Sequence, residues 1–336
     1  MDPYSRVMRV FNHKLPDRTP CLGANSTVTY QQMDAVGHYW PDGHKRAVAM
    51  AAQAMAAHTV LGFDAVRVPF CQTMEAEALG CRVKPGKIRD KEGIPGIDHP
   101  PPFQLDDTPV LPEDFLSRGR IPELLEAVRI LKKTLAGHVP IVAGIIGPMT
   151  LAAAMLDIMV LLKATLKTPE KLRPFLNVAE KAGTSLAKAL VEAGADIICC
   201  EDMSASPALI APHTYEDFEI EYQKRQFDSL SVPKILHICG DVSPIIRFMA
   251  KTGTDAISLE PKTPIETAKK ACRPEMILLG GCDTATTLYM DPPEKVYDAC
   301  ISALKCGIDI LAPGCAVPPA TPTENLQAMV AAAGKR

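Results

Sequence analysis

The run from Ile141 to Leu162, IVAGIIGPMTLAAAMLDIMVLL, decides the fold class. It is long and apolar enough to cross a bilayer, which takes about 20 such residues. Gly147-Pro148 interrupts it, however, and Asp157 lies inside it. Proline opens helices rather than continuing them, and a carboxylate in hydrocarbon is costly. The run therefore reads as a buried strand, Ile141–Gly147, followed by a separate helix. A strand that passes through a Gly-Pro turn into a helix is the repeating unit of a parallel α/β protein.

Working outward, the same unit recurs along the chain. Apolar, β-rich runs occupy Pro20–Asn25, Ala65–Phe70, Asp196–Glu201, Lys234–Cys239, Ala256–Glu260, Met276–Gly281 and Asp309–Pro313, with helical periodicity between them. With Ile141–Gly147 they make eight strands, as a (β/α)8 TIM barrel requires, and the whole chain, 1–336, reads as one such domain. Glu170–Ala193 carries Leu172, Phe175, Leu176, Ala179, Leu186 and Leu190 at helical spacing and stops at Gly194. Thr321-Pro322-Thr323-Glu324 has the form of a capping box, with Thr321 as N-cap of the last helix. Cys81–Gly119, rich in Gly, Pro and charge, reads as a long insertion after the second candidate strand, placed to cover the mouth of a barrel.

Composition narrows the function. Hydrophobic residues are 47% and charged residues 22% of the chain, enough apolar material for a core without the bias of disorder. A net charge of -3 lacks the basic excess of a nucleic-acid binder. Eleven cysteines, an odd number, and an opening MDPYSRVMRVFNHK without an apolar export segment point to the reducing cytoplasm rather than to disulfides. Most of these cysteines are then expected in the core, including the adjacent Cys199 and Cys200, whose side chains point to opposite faces of a strand. Met149, Met155 and Met159 are likewise expected to fill core gaps.

The exceptions lie in Lys234-Ile235-Leu236-His237-Ile238-Cys239-Gly240, where a strand's two-residue period turns His237 and Cys239 to one face. Alone this pattern is more often core than ligand. A second element, Leu311-Ala312-Pro313-Gly314-Cys315, ends another strand at a Gly-bounded turn. In a barrel both strand ends open on the C-terminal face, where barrel enzymes keep their active sites. One imidazole and two thiolates suit Zn2+, and three protein ligands leave the open position of a catalytic site. Glu260, ending Ala256–Glu260, is either a fourth ligand or a hydrogen-bond acceptor behind the ligands. Asn25, Glu201, Asp202 and Asp283 also end strands and are candidates for orienting substrate. For Asn25, Asp202 and Asp283 the bland alternative is capping of the helix that follows.

Taken together, His237-Ile238-Cys239-Gly240-Asp241, Ser258-Leu259-Glu260 and Gly307-Ile308-Asp309-Ile310-Leu311-Ala312-Pro313-Gly314-Cys315 resemble the methylcobamide:coenzyme M methyltransferases of the uroporphyrinogen decarboxylase-like superfamily. The similarity extends through Phe63–Pro69, Arg118–Pro122 and Val191–Asp196, and so over nearly the whole chain. The resemblance implies a (β/α)8 barrel with a small N-terminal helical addition, at about 1–18, and zinc held by His237, Cys239 and Cys315 with Glu260 as fourth ligand. It also implies a corrinoid protein as partner, carrying the methylcorrinoid donor, and a small thiol acceptor such as coenzyme M. Pro20–Thr27 lacks the arginine-rich substrate motif of the decarboxylase itself. Three other readings stand beside this one: tetrahydrofolate or another molecule as acceptor, a decarboxylase-like enzyme without metal, and a non-catalytic corrinoid-binding protein.

Overall fold

The computed structural model describes residues 1–86 and 94–334. Seven parallel strands run in the order β1 (Val66–Val68), β4 (Ile141–Ile146), β5 (Ile197–Glu201), β6 (Lys234–His237), β7 (Ala256–Ser258), β8 (Ile277–Cys282) and β9 (Ile310–Pro313). A separate antiparallel pair, β2 (Val83–Lys84) and β3 (Gly96–Ile97), lies in the expected insertion, with residues 87–93 outside the described residues.

The eighth expected strand, Pro20–Asn25, is reduced to a single bridge between Cys21 and Leu311. Pro20 has no N–H to donate and Gly23 favours a bend, so a longer ladder cannot form. The segment still closes the curled sheet into a barrel. On one side Leu22 N–H donates to Leu311 O (3.0 Å) and Leu311 N–H to Pro20 O (2.9 Å); on the other Asp64 N–H donates to Cys21 O (2.7 Å), just before β1.

Side chains alternate across this sheet because successive Cβ atoms point to opposite faces. Val142, Ile197, Cys199, Ile235, Ala256, Ile277, Leu279, Ile310 and Ala312 form one apolar cluster inside the barrel, whereas Cys200, Leu236, Ile257, Leu278 and Leu311 pack outward with the helices. Cys199 and Cys200 thus face opposite ways, both fully buried. The N-terminal helix Pro3–Phe11 adds Val7 to the inner cluster, and Tyr4 N–H donates to His138 O (2.9 Å), just ahead of β4, so this helix plugs the end where the strands begin.

Several expectations need correction. The run from Ile141 divides into β4 and two helices, Pro148–Met155 and Ile158–Lys167, bent by 115° at their junction; no single helix among the described residues is long and apolar enough to cross a membrane. Met149 and Met155 are buried, but Met159 is 55% exposed, because it lies on the outer side of the second of these helices. The long helix Pro169–Ala193 forms as expected. The last helix begins one residue later than the capping-box reading places it: Pro322 is its N-cap, the buried Thr321 hydroxyl makes no hydrogen bond among the described residues, and the Thr323 amide is capped instead by Gln31 Oε1 (2.6 Å). A side chain remote in sequence has replaced the local cap.

Candidate metal centre

The alternation that builds the inner core also builds the site. Continuing the inward positions of β5, β6 and β7 toward the mouth leads to Glu201, His237 and Ser258, which are direct neighbours in register across the three strands. His237 ends β6 and Ser258 ends β7, so Cys239 and Glu260 sit in the loops just beyond the regular strands. Cys315 follows β9 in a loop packed hard against the β7 loop. A Cβ on Gly314 would lie 2.8 Å from Pro261 Cδ and 3.3 Å from Glu260 Cα, so only glycine permits this approach.

These segments bring four donors together. The ligating atoms of His237, Cys239, Glu260 and Cys315 all lie within 4.8 Å of one another. Cys239 Sγ is 3.4 Å from His237 Nε2 and 3.7 Å from Cys315 Sγ. Tetrahedral zinc with bonds of about 2.3 Å to sulfur and about 2.0 Å to nitrogen needs edges of roughly 3.8 Å between sulfurs and roughly 3.5 Å between sulfur and nitrogen. The two edges from Cys239 match that ion, and the remaining donors lie within 4.8 Å.

Two of the donors, His237 and Glu260, are held from behind. Nδ1 of the buried His237 lies 3.1 Å from Ser258 Oγ, which turns Nε2 toward the sulfurs. Glu260 Oε1 accepts from Gly240 N–H (2.9 Å) and its Oε2 lies 3.5 Å from Lys262 Nζ. Thr263 Oγ1 accepts from Val242 N–H (2.9 Å) and donates to Gly240 O (3.3 Å), which ties the β6 loop to the β7 loop. The hydrogen bond from Cys239, together with His237, lowers the Cys315 thiol to about 4, and the same bond and burial raise that of Cys239. Burial works against an imidazolium at His237, but the Cys315 charge outweighs it and raises the histidine.

The other sequence candidates divide. Asn25 is buried and lines a cavity of about 130 Å³ together with His237, Cys239 and Cys315. Glu201 is buried in an ion pair with Arg67 (2.6 Å) and accepts from Gln72 Nε2 as well. Asp202 does not reach the cavity: its oxygens accept from Thr150 N–H (2.8 Å), Thr150 Oγ1 (2.7 Å) and Gln223 Nε2 (2.9 Å), anchoring the helix that follows β4. Asp283 serves its own turn, accepting from Ala285 N–H (3.0 Å) and Thr286 N–H (2.7 Å). Neither caps the helix that follows it: Asp202 bonds the helix after β4, and Asp283 closes the turn ahead of Thr287–Met290.

Residues that the sequence reading did not single out complete the surroundings. Arg67 shares the inward face of β1, where Gly144 makes room: a Cβ there would lie 2.3 Å from Arg67 Nη2. The two-residue period from Ala65 would have found it. Ser258 was signalled only by its place two residues before Glu260. Gln72, Met203 and Ile94 also line the cavity, and Ile94 reaches it from the insertion, for which no local pattern exists.

A family model described as uroporphyrinogen decarboxylase (URO-D) matches residues 2–336. The chain is 35% identical over 332 residues to the methylcobamide:CoM methyltransferase MtaA of Methanosarcina barkeri, spanning 98% of this chain and 96% of that protein. Identity is 36% with the methylcobamide:CoM methyltransferase MtbA of Methanosarcina acetivorans, at the same coverage. A solved structure, a methyltransferase from Methanosarcina mazei, matches with a TM-score of 0.94 at 35% identity, covering 99% of this chain and 98% of that one.

Proposed function

The chain belongs to the uroporphyrinogen decarboxylase (URO-D) family, and we propose that it is a zinc-dependent methyltransferase of that family, carrying a methyl group from a methylated corrinoid protein to the thiol of coenzyme M. The observation that carries this reading is the convergence of one imidazole, two sulfurs and a carboxylate within 4.8 Å of one another on the mouth of the barrel. The methylcobamide and CoM in the names of the relatives support the same donor and acceptor.

In this reading His237, Cys239 and Cys315 would hold the ion, with Glu260 as the fourth group that could reach it. When bound, zinc supplies a Lewis acid that keeps the acceptor sulfur as thiolate at neutral pH. Ser258 fixes the His237 ring, so that Nε2 keeps its direction. A carboxylate at Glu260 and an acceptor thiolate carry the same charge, so either would balance the ion in this half-buried site equally. Gly240 N–H and Lys262 hold the Glu260 carboxylate from behind. The acceptor thiolate then attacks the methyl carbon of the donor: the S–C bond forms, the Co–C bond breaks, and its electron pair leaves with cobalt as cobalt(I).

The cavity of about 130 Å³ favours a small thiol over tetrahydrofolate, since enclosed drug-sized ligands occupy roughly 300–1,000 Å³. A corrinoid is far too large to enter, so the donor approaches across the mouth, presented by its carrier protein. Free cysteines throughout the chain suit work in the cytoplasm.

The test mixes purified, zinc-loaded protein with methylcobalamin and coenzyme M and follows the appearance of cobalt(I) spectroscopically, with and without a zinc chelator. Turnover that the chelator abolishes is expected. Cys239→Ala and Cys315→Ala are expected to lose zinc and transfer together; a Cys239→Ala protein with full zinc content and full rate would overturn the assignment. Stable corrinoid binding without turnover would favour a non-catalytic role.

A further inference from the structure

Asn25 carries an unmet demand at the mouth of the barrel. It is 3% exposed, yet neither Nδ2 nor Oδ1 has a hydrogen-bond partner among the described residues. Buried polar groups are almost always paired, because an unpaired one loses its bonds to water and gains nothing in return. Facing a cavity, its Nδ2–H is a donor that a ligand there can use.

The backbone that presents this amide is locked in place. Ser26 Oγ donates to Phe70 O (3.2 Å), Thr27 Oγ1 donates to Asn25 O (3.1 Å), and Val317 N–H donates to Ser26 O (2.9 Å). The loop is therefore pinned between the end of β1 and the segment that carries Cys315. Its side chain faces the same small cavity as His237, Cys239 and Cys315. None of the described residues lining that cavity is Lys or Arg. The arginines behind its wall are engaged, Arg67 with Glu201 and Arg120 with Glu77 (2.7 Å) and Thr73 Oγ1 (2.7 Å).

Resting on the reading that a thiol is the methyl acceptor, we propose that Asn25 sets acceptor specificity: its Nδ2–H group donates to an oxygen of the oxyanion end of a short thiol whose sulfur lies at the metal donors. Asn25 is a binding residue that selects thiols ending in a sulfonate or carboxylate over equally short thiols ending in a hydroxyl or an amine. Recognition through an amide leaves the buried site free of a second fixed charge, and the short span of the cavity limits the spacer between sulfur and oxyanion.

The experiment compares 2-mercaptoethanesulfonate, 2-mercaptoethanol and 2-aminoethanethiol as acceptors from methylcobalamin, using wild type, Asn25→Ala and the nearly isosteric Asn25→Asp, with zinc content measured for each. Wild type is expected to prefer the sulfonate. In both variants KM for the sulfonate should rise about 10- to 100-fold, the loss of one hydrogen bond to a charged group, and the preference over 2-mercaptoethanol should collapse. Asn25→Asp should shift preference toward the amine. As a readout independent of turnover, calorimetric binding of ethanesulfonate, which has the end group and no thiol, should weaken in both variants. An unchanged preference ratio in the variants, an equal loss for all three thiols, or a wild-type preference for the amine would overturn the proposal. Wild-type protein that transfers methyl to none of them would overturn the methyltransferase reading itself, and this inference with it.

Discussion

Ser258 is the smallest part of the centre with a separable role. Its hydroxyl supplies the contact at 3.1 Å to His237 Nδ1, and it reaches that place because β6 and β7 pair His237 with Ser258 in register. Removing such a partner behind a histidine ligand typically weakens metal affinity by about 10- to 100-fold without removing a ligand. Ser258→Ala is therefore expected to bind zinc within that range below wild type in a chelator competition, and Ser258→Thr to recover part of the loss. Cys239→Ala should be far worse, because it deletes a donor. His237 and Cys239 were legible in the sequence as a same-face pair, and Cys315 as a strand-end thiol. What no local pattern could supply is the meeting of the two, which depends on β6 and β9 lying on one barrel mouth.

At the scale of elements, the short helix Met74–Ala78 is bound to the sheet by one acid. Glu75 Oε1 accepts from Ile146 N–H (2.7 Å) at the end of β4, and burial pushes its carboxyl up to about 7. The folded value lies above the unfolded one of about 4.5. The native state therefore holds the proton over a pH range in which the unfolded chain has lost it, and stability falls as pH rises from about 4.5 to about 7. Glu75→Gln keeps the acceptor oxygen and removes the ionisation. It should match wild type near pH 4 and be more stable at pH 8 by up to about 3 kcal/mol, read from urea denaturation at both pH values. A gap that does not widen between those values would contradict the linkage. Strand and helix positions were mostly visible from periodicity, as with Pro169–Ala193, whereas the start of the last helix was not, because Gln31 caps it from the other end of the chain.

At the scale of the whole molecule, the barrel is closed by an ionic knot rather than by a full eighth strand. The buried Asp64 carboxylate accepts from Arg6 (2.8 Å), from both terminal nitrogens of Arg18 (2.8 Å each) and from Cys21 N–H (2.9 Å), while Asp64 N–H donates back to Cys21 O. One side chain thus joins the N-terminal helix, the closing segment and the entry to β1. Breaking a buried pair by removing one partner commonly costs about 3–5 kcal/mol, since the other charge is left without compensation. Asp64→Ala should lose stability on that order in denaturant melts; a loss below about 1 kcal/mol would show that closure does not depend on it. Because Cys239 and Cys315, the proposed metal ligands, lie beyond strand ends brought together by that closure, zinc affinity should fall in the same variant.

The alternation of strands and helices, the shared face of His237 and Cys239, and Cys315 as a strand-end thiol were legible in the sequence, because each is written within a few consecutive residues by periodicity and side-chain chemistry. Three-dimensional packing settled which strand ends meet, that Asp202 anchors the helix after β4 and Asp283 its own turn while Asn25 faces the donors with no partner among the described residues, and that Ile94 of the insertion reaches the cavity. Those outcomes depend on distances between residues far apart in the chain. They are set by the closing of the barrel, a cooperative result of burying the inner and outer apolar faces of one sheet at once.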